Sequence, residues 1–370
     1  MKTYRLPLLL IIFAFAFASS ALAHSLFCPS RISNDVAVIN TSTNQVVTHI
    51  PVGDFPIRIA MRPDRLKAFI SNEHSNNISV LDTVARTNIA TIPVNKSPGE
   101  TAITPDGLRL FVLHQVNLNG DPTHCPVAVI DTATNLVITT VLIFGHGAKD
   151  ILFTPDGRFA YISVPDGEVD VIDTTTYQVT RIPTAAGARR LCMSPAGDRV
   201  YVTNHFDNSV SAIDTATQQV IATIPLGLNF APMGIAITPN GEEVYATDQY
   251  GGDGNGKVSV IDTTTLTLIA TIPVGAHPQR VEITRDGAKA FVQNGWSDTV
   301  SAIDTATHTV SATIPVGHFP WTMLLSADDK KLYVCNGSDT TVTVIDVPSL
   351  TVSATIAGVG SHPFDLAFGP

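Results

Sequence analysis

An internal repeat of about 42 residues constrains this chain more than any other feature of its sequence. In each repeat, a short apolar segment ends in Asp or Asn. That closing residue falls at eight positions, which are Asn40, Asp82, Asp131, Asp173, Asp214, Asp262, Asp304 and Asp346. Successive positions lie 42, 49, 42, 41, 48, 42 and 42 residues apart. So regular a period indicates a single repeat array rather than several unrelated domains.

Each repeat contains four short segments rich in Val, Ile, Tyr and Thr, separated by turn residues. Short β-branched and aromatic runs between turn signals are typical of β-strands. Four antiparallel strands in about 42 residues form one blade of a β-propeller. We name these strands A to D from the centre of the ring outwards. The sequence therefore predicts an all-β fold with four-stranded antiparallel blades.

The two ends of the chain together supply one more blade. Seven complete A–D units run from Pro56 to about Ile356. A lone A-type segment follows at residues 363–368, and segments matching strands B, C and D occupy residues 26–50. We therefore predict an eight-bladed propeller in which the N-terminal strands pair with the C-terminal strand and leave no open edge on the ring. Seven blades is the alternative, if the N-terminal strands pack only peripherally.

The first 23 residues have the organisation of a secretory signal peptide. Lys2 and Arg5 precede an apolar run from Leu6 to about Ala18, and Ala-Leu-Ala follows at residues 21–23. The apolar run is too short to span a membrane stably. We predict cleavage after Ala23, a single propeller domain over residues 24–370 with repeats of about 43 residues, and a periplasmic or extracellular location without membrane insertion.

The charge composition limits the classes of partner. The chain carries a formal net charge of −10 and has no cluster of basic residues in its sequence. Nucleic-acid-binding proteins and proteins that bind anionic lipid usually present such clusters. We therefore predict no nucleic-acid partner and expect a protein or a small molecule instead.

Four cysteines, Cys28, Cys125, Cys192 and Cys335, lack the Cys-x-x-Cys spacing. This spacing pattern argues against c-type haem attachment and zinc ribbons. Cys28 and Cys335 fall on B strands of neighbouring blades and are the one pair to consider for a disulfide. Buried free thiols are the preferred interpretation.

The acidic residue in every repeat is explained by turn chemistry. Five of these residues begin an Asp-Thr-x-Thr sequence, in which the carboxylate accepts amide hydrogens from the following residues. The A–B turns are equally regular, as in Thr-Pro-Asp-Gly at residues 104–107 and 154–157. Because a catalytic residue does not need a copy in each repeat, we predict a structural role for these carboxylates.

The segment Tyr-Val-Thr-Asn at residues 201–204 has close variants at residues 69–72, 291–294 and 333–336. With the recurring Val-Ile-Asp-Thr, Thr-Ile-Pro-Val-Gly and Thr-Pro-Asp-Gly elements, the whole mature chain resembles the YVTN family of β-propeller repeats. The resemblance implies the propeller fold but indicates almost nothing about activity. Members of this kind include surface-layer and other exported proteins. Related propellers include lactonases, a streptogramin lyase, a quinone amine dehydrogenase subunit and the haem d1 domain of a nitrite reductase, but no motif here carries those activities across.

The candidate site lies on the face of the ring where the D–A and B–C loops emerge, which we name the top face. The bottom turns are stereotyped, whereas the top loops vary, and variable loops on a rigid scaffold commonly carry function. Loops of blades 6, 7, 8 and 1 contain both tryptophans, several histidines and two arginines. The candidate binding cluster consists of Phe55, Arg58, His277, Arg280, Trp296, His318, Trp321 and His362. The alternative is that these side chains only pack the loops over the mouth of the channel.

Histidines raise the question of a metal or cofactor. Eight of the eleven fall in or beside top-face loops, and three imidazoles can bind a metal while one can act as a base. They belong to different blades, and polar residues are common in loops, so solvated histidines are the preferred interpretation. We predict no metal and no cofactor, and no catalytic residue is identified.

The first residues of the A strands are expected to border the central channel. They are Arg58, Glu100, Asp150, Arg190, Arg280, Thr322 and Asp365. Opposite charges fall on adjacent blades, so mutual neutralisation is favoured over orientation of an anionic ligand.

These observations lead to two functional hypotheses. The first is an exported recognition or scaffold protein, more consistent with a non-enzyme, that binds a protein or small ligand on its top face. The alternative is a cofactor- or metal-dependent enzyme of lyase, lactonase or redox type. In that alternative, His277, His318 or His362 is a ligand or base and Arg280 holds an anion.

Overall fold

The computed structural model describes residues 25–115, 123–227, 231–249 and 256–370. The predicted signal peptide lies outside the described residues, as do parts of the two long B–C loops of blades 2 and 5. None of the described residues forms a helix, so these ranges contain no helix that is long and apolar enough to cross a membrane.

The described chain forms 32 short strands. They are β1 (Ser25–Ser30), β2 (Asp35–Asn40), β3 (Gln45–Pro51), β4 (Pro56–Met61), β5 (Lys67–Asn72), β6 (Asn77–Asp82), β7 (Thr87–Pro93), β8 (Pro98–Ile103), β9 (Arg109–His114), β10 (His124–Asp131), β11 (Leu136–Phe144), β12 (Asp150–Phe153), β13 (Phe159–Val164), β14 (Glu168–Asp173), β15 (Val179–Pro183), β16 (Ala188–Met193), β17 (Arg199–Asn204), β18 (Ser209–Asp214), β19 (Gln219–Pro225), β20 (Pro232–Ile237), β21 (Glu243–Asp248), β22 (Gly256–Asp262), β23 (Thr267–Val274), β24 (Pro278–Ile283), β25 (Lys289–Asn294), β26 (Thr299–Asp304), β27 (Thr309–Pro315), β28 (Pro320–Leu325), β29 (Lys331–Asn336), β30 (Thr341–Asp346), β31 (Thr351–Ala357) and β32 (Ala367–Phe368).

These strands build eight four-stranded antiparallel sheets, so the predicted eight-bladed propeller is confirmed. Seven blades are consecutive quartets, from β4–β7 (blade 1) to β28–β31 (blade 7). Blade 8 has the order β3-β2-β1-β32, which joins the N-terminal strands to the C-terminal strand as predicted. The closing strand is shorter than its repeat equivalents, because only residues 367–368 pair continuously with β1 and Ser30 bridges Pro363 separately.

The apolar core is divided among the eight blade interfaces. Each interface holds one cluster of buried residues drawn from two neighbouring blades. Every B strand contributes a large aromatic side chain that is almost completely buried there, namely Phe27, Phe69, Phe111, Tyr161, Tyr201, Tyr245, Phe291 and Tyr333. Both faces of the inner strands are thus covered, which accounts for their long apolar runs.

The segment Tyr-Val-Thr-Asn at residues 201–204 links strands within and between blades. Tyr201 packs at the blade interface, while Asn204 Nδ2 donates hydrogen bonds to Ser209 Oγ at 2.9 Å and Ser211 Oγ at 2.8 Å. Equivalent pairs of bonds are made by Asn72, Asn294 and Asn336. Each asparagine donates to two side-chain acceptors on strand C, which are two hydroxyls for Asn204, Asn294 and Asn336 and the Asn77 amide oxygen plus the Ser79 hydroxyl for Asn72. This pairing explains why asparagine recurs at the end of strand B.

The repeated carboxylates act as turn acceptors, as predicted. Asp131 Oδ1 accepts hydrogen bonds from the backbone N–H of Ala133 at 3.1 Å and of Thr134 at 2.8 Å. The hydrogen bonds of Thr134 lower the pKa of this carboxyl because they stabilise its charged form. Asp173 and Asp262 bind their turns in the same way.

The cysteine pair considered from the sequence is brought together at the seam between blades 7 and 8. Cys28 Sγ and Cys335 Sγ lie 3.6 Å apart, and both side chains are fully buried. Both are free thiols in this structure, as are Cys125 and Cys192.

Candidate functional site

A cavity of about 330 Å³ opens on the top face at the mouth of the central channel, and we name it the central cavity. Its walls are formed by Arg31, Ile57, Arg58, Glu73, Glu100, Gln115, Ala148, Lys149, Arg189, Arg190, Met233, Gln249, Gln279, Arg280, Trp321 and Phe364. Three members of the predicted cluster, Arg58, Arg280 and Trp321, belong to this wall. The volume is that of an ordinary small-molecule site.

Irregular pairing of the inner strands builds the cavity wall. In six of them the register with strand B shifts just below the top face, as between Pro56 and Arg58 in β4. Successive side chains of a regular strand point to opposite faces, and a bulge redirects one of them. As a result, consecutive residues such as Arg189 and Arg190, or Gln279 and Arg280, both line the cavity.

Hydrogen bonds from the neighbouring blade hold these bulged segments in place. Ser163 Oγ donates to the carbonyl oxygen of Arg189 at 2.7 Å, and Thr203 Oγ1 donates to that of Met233 at 3.3 Å. Ser71 and Gln293 make equivalent bonds to the carbonyls of Gly99 and Trp321. The third residue of the Tyr-Val-Thr-Asn segment therefore positions the cavity wall of the next blade.

The cavity wall has two layers of side chains, and the lower layer contains the predicted channel residues. In this layer Glu100 Oε2 accepts hydrogen bonds from Arg58 Nε at 2.8 Å and from Arg190 Nη1 at 3.1 Å. Arg190 Nη1 also lies 3.4 Å from Asp150 Oδ1. The three arginines of the layer are matched in number by Glu100, Asp150 and Asp365, in agreement with the predicted mutual neutralisation.

The upper layer, which that prediction did not include, changes the charge balance of the cavity as a whole. It adds Lys149 and Arg189, each one residue before a lower-layer position, and Arg31 reaches in from the β1–β2 loop. The lining therefore contains six cationic side chains but only two carboxylates, Glu73 and Glu100. This excess of positive charge lies within a protein whose formal net charge is −10.

Two of these cations make no direct ion pair. Within the described ranges, neither Lys149 nor Arg280 makes a side-chain hydrogen bond or an ion pair. Burial lowers the pKa of Lys149, and the nearby Arg189 and Arg190 lower it further. Burial likewise lowers the pKa of Arg280, with Arg190 and Arg58 adding to the effect and Asp365 and Glu100 partly offsetting it. Both groups are thus destabilised as cations, and a bound anion would relieve the repulsion.

His277 lies behind the cavity wall rather than in it. Its Nε2 and Nδ1 atoms are each 2.9 Å from an amide nitrogen, of Gln249 and Gln279 respectively. The ring also stacks on Trp296, with centroids 4.4 Å apart and an interplanar angle of 12°. Burial lowers the pKa of His277, which favours the neutral imidazole. The contacts indicate that His277 orients the two glutamines that line the cavity.

Aromatic side chains form a continuous arc beside the cavity, across blades 6, 7, 8 and 1. The successive ring centroids are 4.4 Å apart for Trp296 and His277, 6.0 Å for His277 and Phe319, 5.7 Å for Phe319 and Trp321, and 4.9 Å for Trp321 and Phe364. Arg31 extends the arc, because its Cζ lies 4.4 Å from the Phe364 centroid and 4.1 Å from that of Phe55. The structure therefore brings together most of the predicted cluster.

The remaining predicted residues lie at the edge of this region. His318 is exposed, and its Nδ1 lies 2.9 Å from Asp298 Oδ2. His362 is exposed at the outer side of the arc, while Phe55 stacks on His74 with centroids 4.0 Å apart. The part of the chain that the structure describes contains no group of three or more His, Cys, Asp or Glu side chains arranged to hold a metal.

Gly234 occupies the lower layer in blade 5, where a side chain does not fit. A Cβ atom there would lie 2.3 Å from the carbonyl oxygen of Gln279 and 2.9 Å from Arg280 Cα. We expect Gly234→Ala to lower the free energy of unfolding by about 2–4 kcal/mol, because backbone atoms of blade 6 must move. Denaturant unfolding measures the change.

The control is Gly99→Ala, in which the new Cβ meets mainly the flexible side chain of Gln115, at 3.0 Å. We expect this control to cost less than about 1 kcal/mol. Equal stability losses in the two variants would contradict the close approach of blades 5 and 6.

The upper layer of the cavity wall was not predicted from the sequence. Lys149 and Arg189 directly precede predicted channel residues, and Gln279 directly precedes Arg280. In a regular strand these residues would point away from the channel. One feature of the sequence could have indicated this layer, because the basic pair at residues 189–190 lies at the start of an inner strand. Arg31 gave no such signal, because its loop reaches the cavity only after the ring has closed.

Comparison with known proteins supports the propeller fold. Residues 165–313 match the family described as "Lactonase, 7-bladed beta-propeller", and residues 284–370 match that of the "YNCE-like beta-propeller". The chain is 31% identical over 127 residues to the "Seven-bladed beta-propeller protein Rv1057" of Mycobacterium tuberculosis. That match covers 32% of this chain and 31% of the relative, so the chain spans about a third of the curated relative that it matches. The names of the lactonase family and of this relative give seven blades, whereas the described chain has eight.

Solved structures extend the likeness over most of the ring. Hydrazine synthase of Kuenenia stuttgartiensis has a TM-score of 0.63 and 23% identity, covering 79% of this chain and 95% of its own. The "Dihydro-heme d1 dehydrogenase NirN in complex with DHE" has a TM-score of 0.77 and 12% identity, and the match covers 93% of this chain and 75% of the NirN chain. A functionally unknown protein from Desulfotomaculum acetoxidans has a TM-score of 0.63 and 15% identity, and the match covers 93% of this chain and 98% of the other. At these identities the likeness shows the fold alone.

Proposed function

We propose that this protein is an exported binding protein that holds a small anionic ligand in the central cavity of its top face. The observation that carries the proposal is the imbalance of six cationic side chains over two carboxylates in the lining. This refines the leading hypothesis from the sequence, which left the choice between a protein and a small molecule open.

The charge pattern favours a small anion over a protein surface. The cationic groups converge inside a cavity of about 330 Å³, whereas the protein as a whole has a formal net charge of −10. A concave site focuses its field, so a small anion gains the full attraction inside the cavity while the acidic exterior repels larger acidic partners. Gln115, Gln249 and Gln279 add neutral amide groups that can complete the hydrogen bonding of such a ligand.

The alternative of an enzyme that uses a top-face histidine has less support from the geometry. The neutral ring of His277 has one nitrogen that can accept a proton. Because each ring nitrogen lies 2.9 Å from a glutamine amide group, that nitrogen already has a partner within the protein. His318 has Asp298 as its partner and lies at the exposed edge. The complex of NirN with DHE concerns that protein, and fold likeness at 12% identity transfers no ligand to this one.

Calorimetric titration of the purified protein with citrate and with inorganic phosphate, at low ionic strength, tests the proposal. We expect binding of at least one probe, and Lys149→Gln and Arg280→Gln should each weaken it about tenfold or more, since each removes one charged contact. Added salt should weaken binding in the wild type.

Arg158→Gln is the matched control, because Arg158 is an exposed arginine next to the A–B turn at residues 154–157 on the bottom of the ring. This control should bind each probe as the wild type does. Absence of binding to both anions, or equal affinity in the wild type and the two cavity variants, would contradict an anion site in the central cavity.

Export is proposed from residues 1–23 alone. Intact-mass analysis of protein recovered from the medium or periplasm should give a chain that begins at His24. Recovery of the full-length chain from the cytoplasm alone would contradict export and would leave the anion site unaffected.

A further inference from the structure

A second cavity, of about 260 Å³, opens beside the central cavity between blades 7 and 8, and we name it the aromatic slot. Phe319, Trp321 and Phe364 supply its ring surfaces, while Gly337, Ser338 and His362 complete its rim. The rings of Phe319 and Trp321 lie at an interplanar angle of only 25°. The walls thus present flat apolar surfaces with few polar groups.

The aromatic slot and the central cavity share part of their walls. Arg31, Trp321 and Phe364 line both of them. One ligand can therefore occupy the two cavities at once, with its apolar part against the rings and its charged part among the cations. Arg31 stands at the junction, where its guanidinium lies 4.4 Å from the Phe364 ring centroid and its Nη2 lies 3.8 Å from Glu73 Oε2.

The slot is kept open by the backbone as well as by its rings. A Cβ at Gly337 would lie 3.1 Å from the carbonyl oxygen of Phe319 and 3.4 Å from Trp321 Cβ, so the chain passes close beneath these rings. The N–H of Gly337 donates to that carbonyl at 2.8 Å, and Gln293 Nε2 donates to the carbonyl of Trp321 at 2.6 Å. Fixed aromatic faces of this kind bind planar rings at little cost in side-chain entropy.

From these features we infer that the ligand is an aromatic acid: a flat ring system in the aromatic slot that carries a carboxylate or similar anionic group into the central cavity. The inference rests on the proposed anion site and adds the chemical class of the ligand. The anionic group then lies among the cations of the central cavity, where Lys149 and Arg280 make no direct ion pair within the described residues.

Three probes of related shape separate the two parts of the site. They are 2-naphthoate, which has both a ring system and a charge, acetate, which has only the charge, and 2-naphthamide, which has only the ring system. We expect the affinity of the wild type for 2-naphthoate, measured by calorimetry, to be about 100-fold higher than its affinity for acetate. It should also exceed the affinity for 2-naphthamide by about tenfold or more.

Two variants address the slot without touching the cations. Trp321→Ala removes a slot wall, and Ser338→Trp fills the slot from an exposed position of its rim. Both should reduce the affinity for 2-naphthoate about tenfold or more, and thermal melts establish that each variant is folded. Ser338→Trp, at a position outside the lining of the central cavity, should leave the affinity for acetate unchanged.

The outcomes distinguish the aromatic part from the anion site. If acetate and 2-naphthoate bind equally, and both depend on Lys149 and Arg280, the aromatic class is wrong and the anion site stands. If 2-naphthoate binds as tightly to Ser338→Trp as to the wild type, the ring lies elsewhere and the inference fails. If no anionic probe binds at all, both proposals fail together.

Discussion

Replacing Asp170 with serine is expected to raise the free energy of unfolding by about 3 kcal/mol near pH 8 and to change it little near pH 4. Burial raises the pKa of Asp170 to about 7, although the hydrogen bond from the backbone N–H of Phe144, at 2.6 Å, works in the opposite direction. At pH 8 the folded protein must therefore hold a carboxylate that is completely buried. Serine removes that cost.

The position of Asp170 in the repeat supports this expectation. In blades 1, 4, 6 and 7 the equivalent residue is a hydroxyl that bonds to the asparagine at the end of strand B. In blade 3 that asparagine is replaced by Val164 and the hydroxyl by Asp170, whose Oδ1 is buried without a hydrogen-bond partner in the structure. The neighbouring Glu168 has the guanidinium of Arg181 as its partner, so Arg181 does not pair directly with Asp170.

The direction of the pH effect follows from the two protonation states. An ordinary Asp, with a pKa of 3.8, is ionised in the unfolded chain above about pH 4, whereas folded Asp170 keeps its proton up to about pH 7. Its contribution to stability is complete below about pH 4 and is lost as the pH rises towards 7 and beyond. Denaturant unfolding at several pH values should show this slope in the wild type and a smaller slope in Asp170→Ser.

The reciprocal control is Ser211→Asp, which introduces a carboxyl at the same position of blade 4. We expect this variant to be less stable than the wild type near pH 8 and to recover as the pH falls towards about 4. If Asp170→Ser is less stable than the wild type near pH 8, the carboxylate of Asp170 is stabilised in its charged form and the expectation is wrong.

Glu100→Gln is expected to lower the free energy of unfolding by about 2–4 kcal/mol at neutral pH and to increase the affinity of the central cavity for anions about tenfold. Burial alone would raise the pKa of Glu100, but Arg58, Arg190 and Arg280 outweigh it and hold that pKa at about 2. The carboxylate contacts Arg58 at 2.8 Å and Arg190 at 3.1 Å. Its neutralisation leaves two arginines of the lower layer with less compensation.

The same pKa predicts how stability depends on acid. The folded pKa lies below the ordinary value of 4.5, so the contribution of Glu100 is present above about pH 4.5 and is lost as the pH falls towards about 2. Phosphate should restore part of the lost stability in Glu100→Gln, since an anion in the cavity takes over the role of the carboxylate. Thermal melts with and without phosphate measure this effect.

Glu242→Gln is the matched control, because Glu242 is exposed on a bottom turn, where its carboxylate contacts Asn240. This control should change the free energy of unfolding by less than about 0.5 kcal/mol. Its thermal melt should respond to phosphate as that of the wild type does. A Glu100→Gln variant as stable as this control would show that the lower layer does not depend on its ion pairs.

The sequence alone determined the architecture, because propeller blades are local structures. The spacing from Asp173 to Asp214 and onward predicts one blade per repeat, since each blade pairs strands that follow one another in the chain. Closure of the ring was predicted by counting strands in the repeats. Residues 363–368 form a single inner strand without the other three strands of its blade, and residues 26–50 supply those three strands. The gathering of Trp296, Trp321 and Phe364 on neighbouring blades followed from the same arithmetic.

Only the tertiary structure decided the charge of the site. Strand alternation predicts that Lys149 and Arg189 point away from the channel, but both residues line the cavity. Arg189 lies in the irregular part of β16, and Lys149 precedes the first residue of β12. The hydroxyl of Ser163 that holds the carbonyl of Arg189 belongs to another blade, so no local sequence rule contains this constraint. Arg31 is likewise 42 residues from its ion-pair partner Glu73 along the chain. The blades are specified locally, whereas the cavity between them depends on contacts that exist only once the ring is closed.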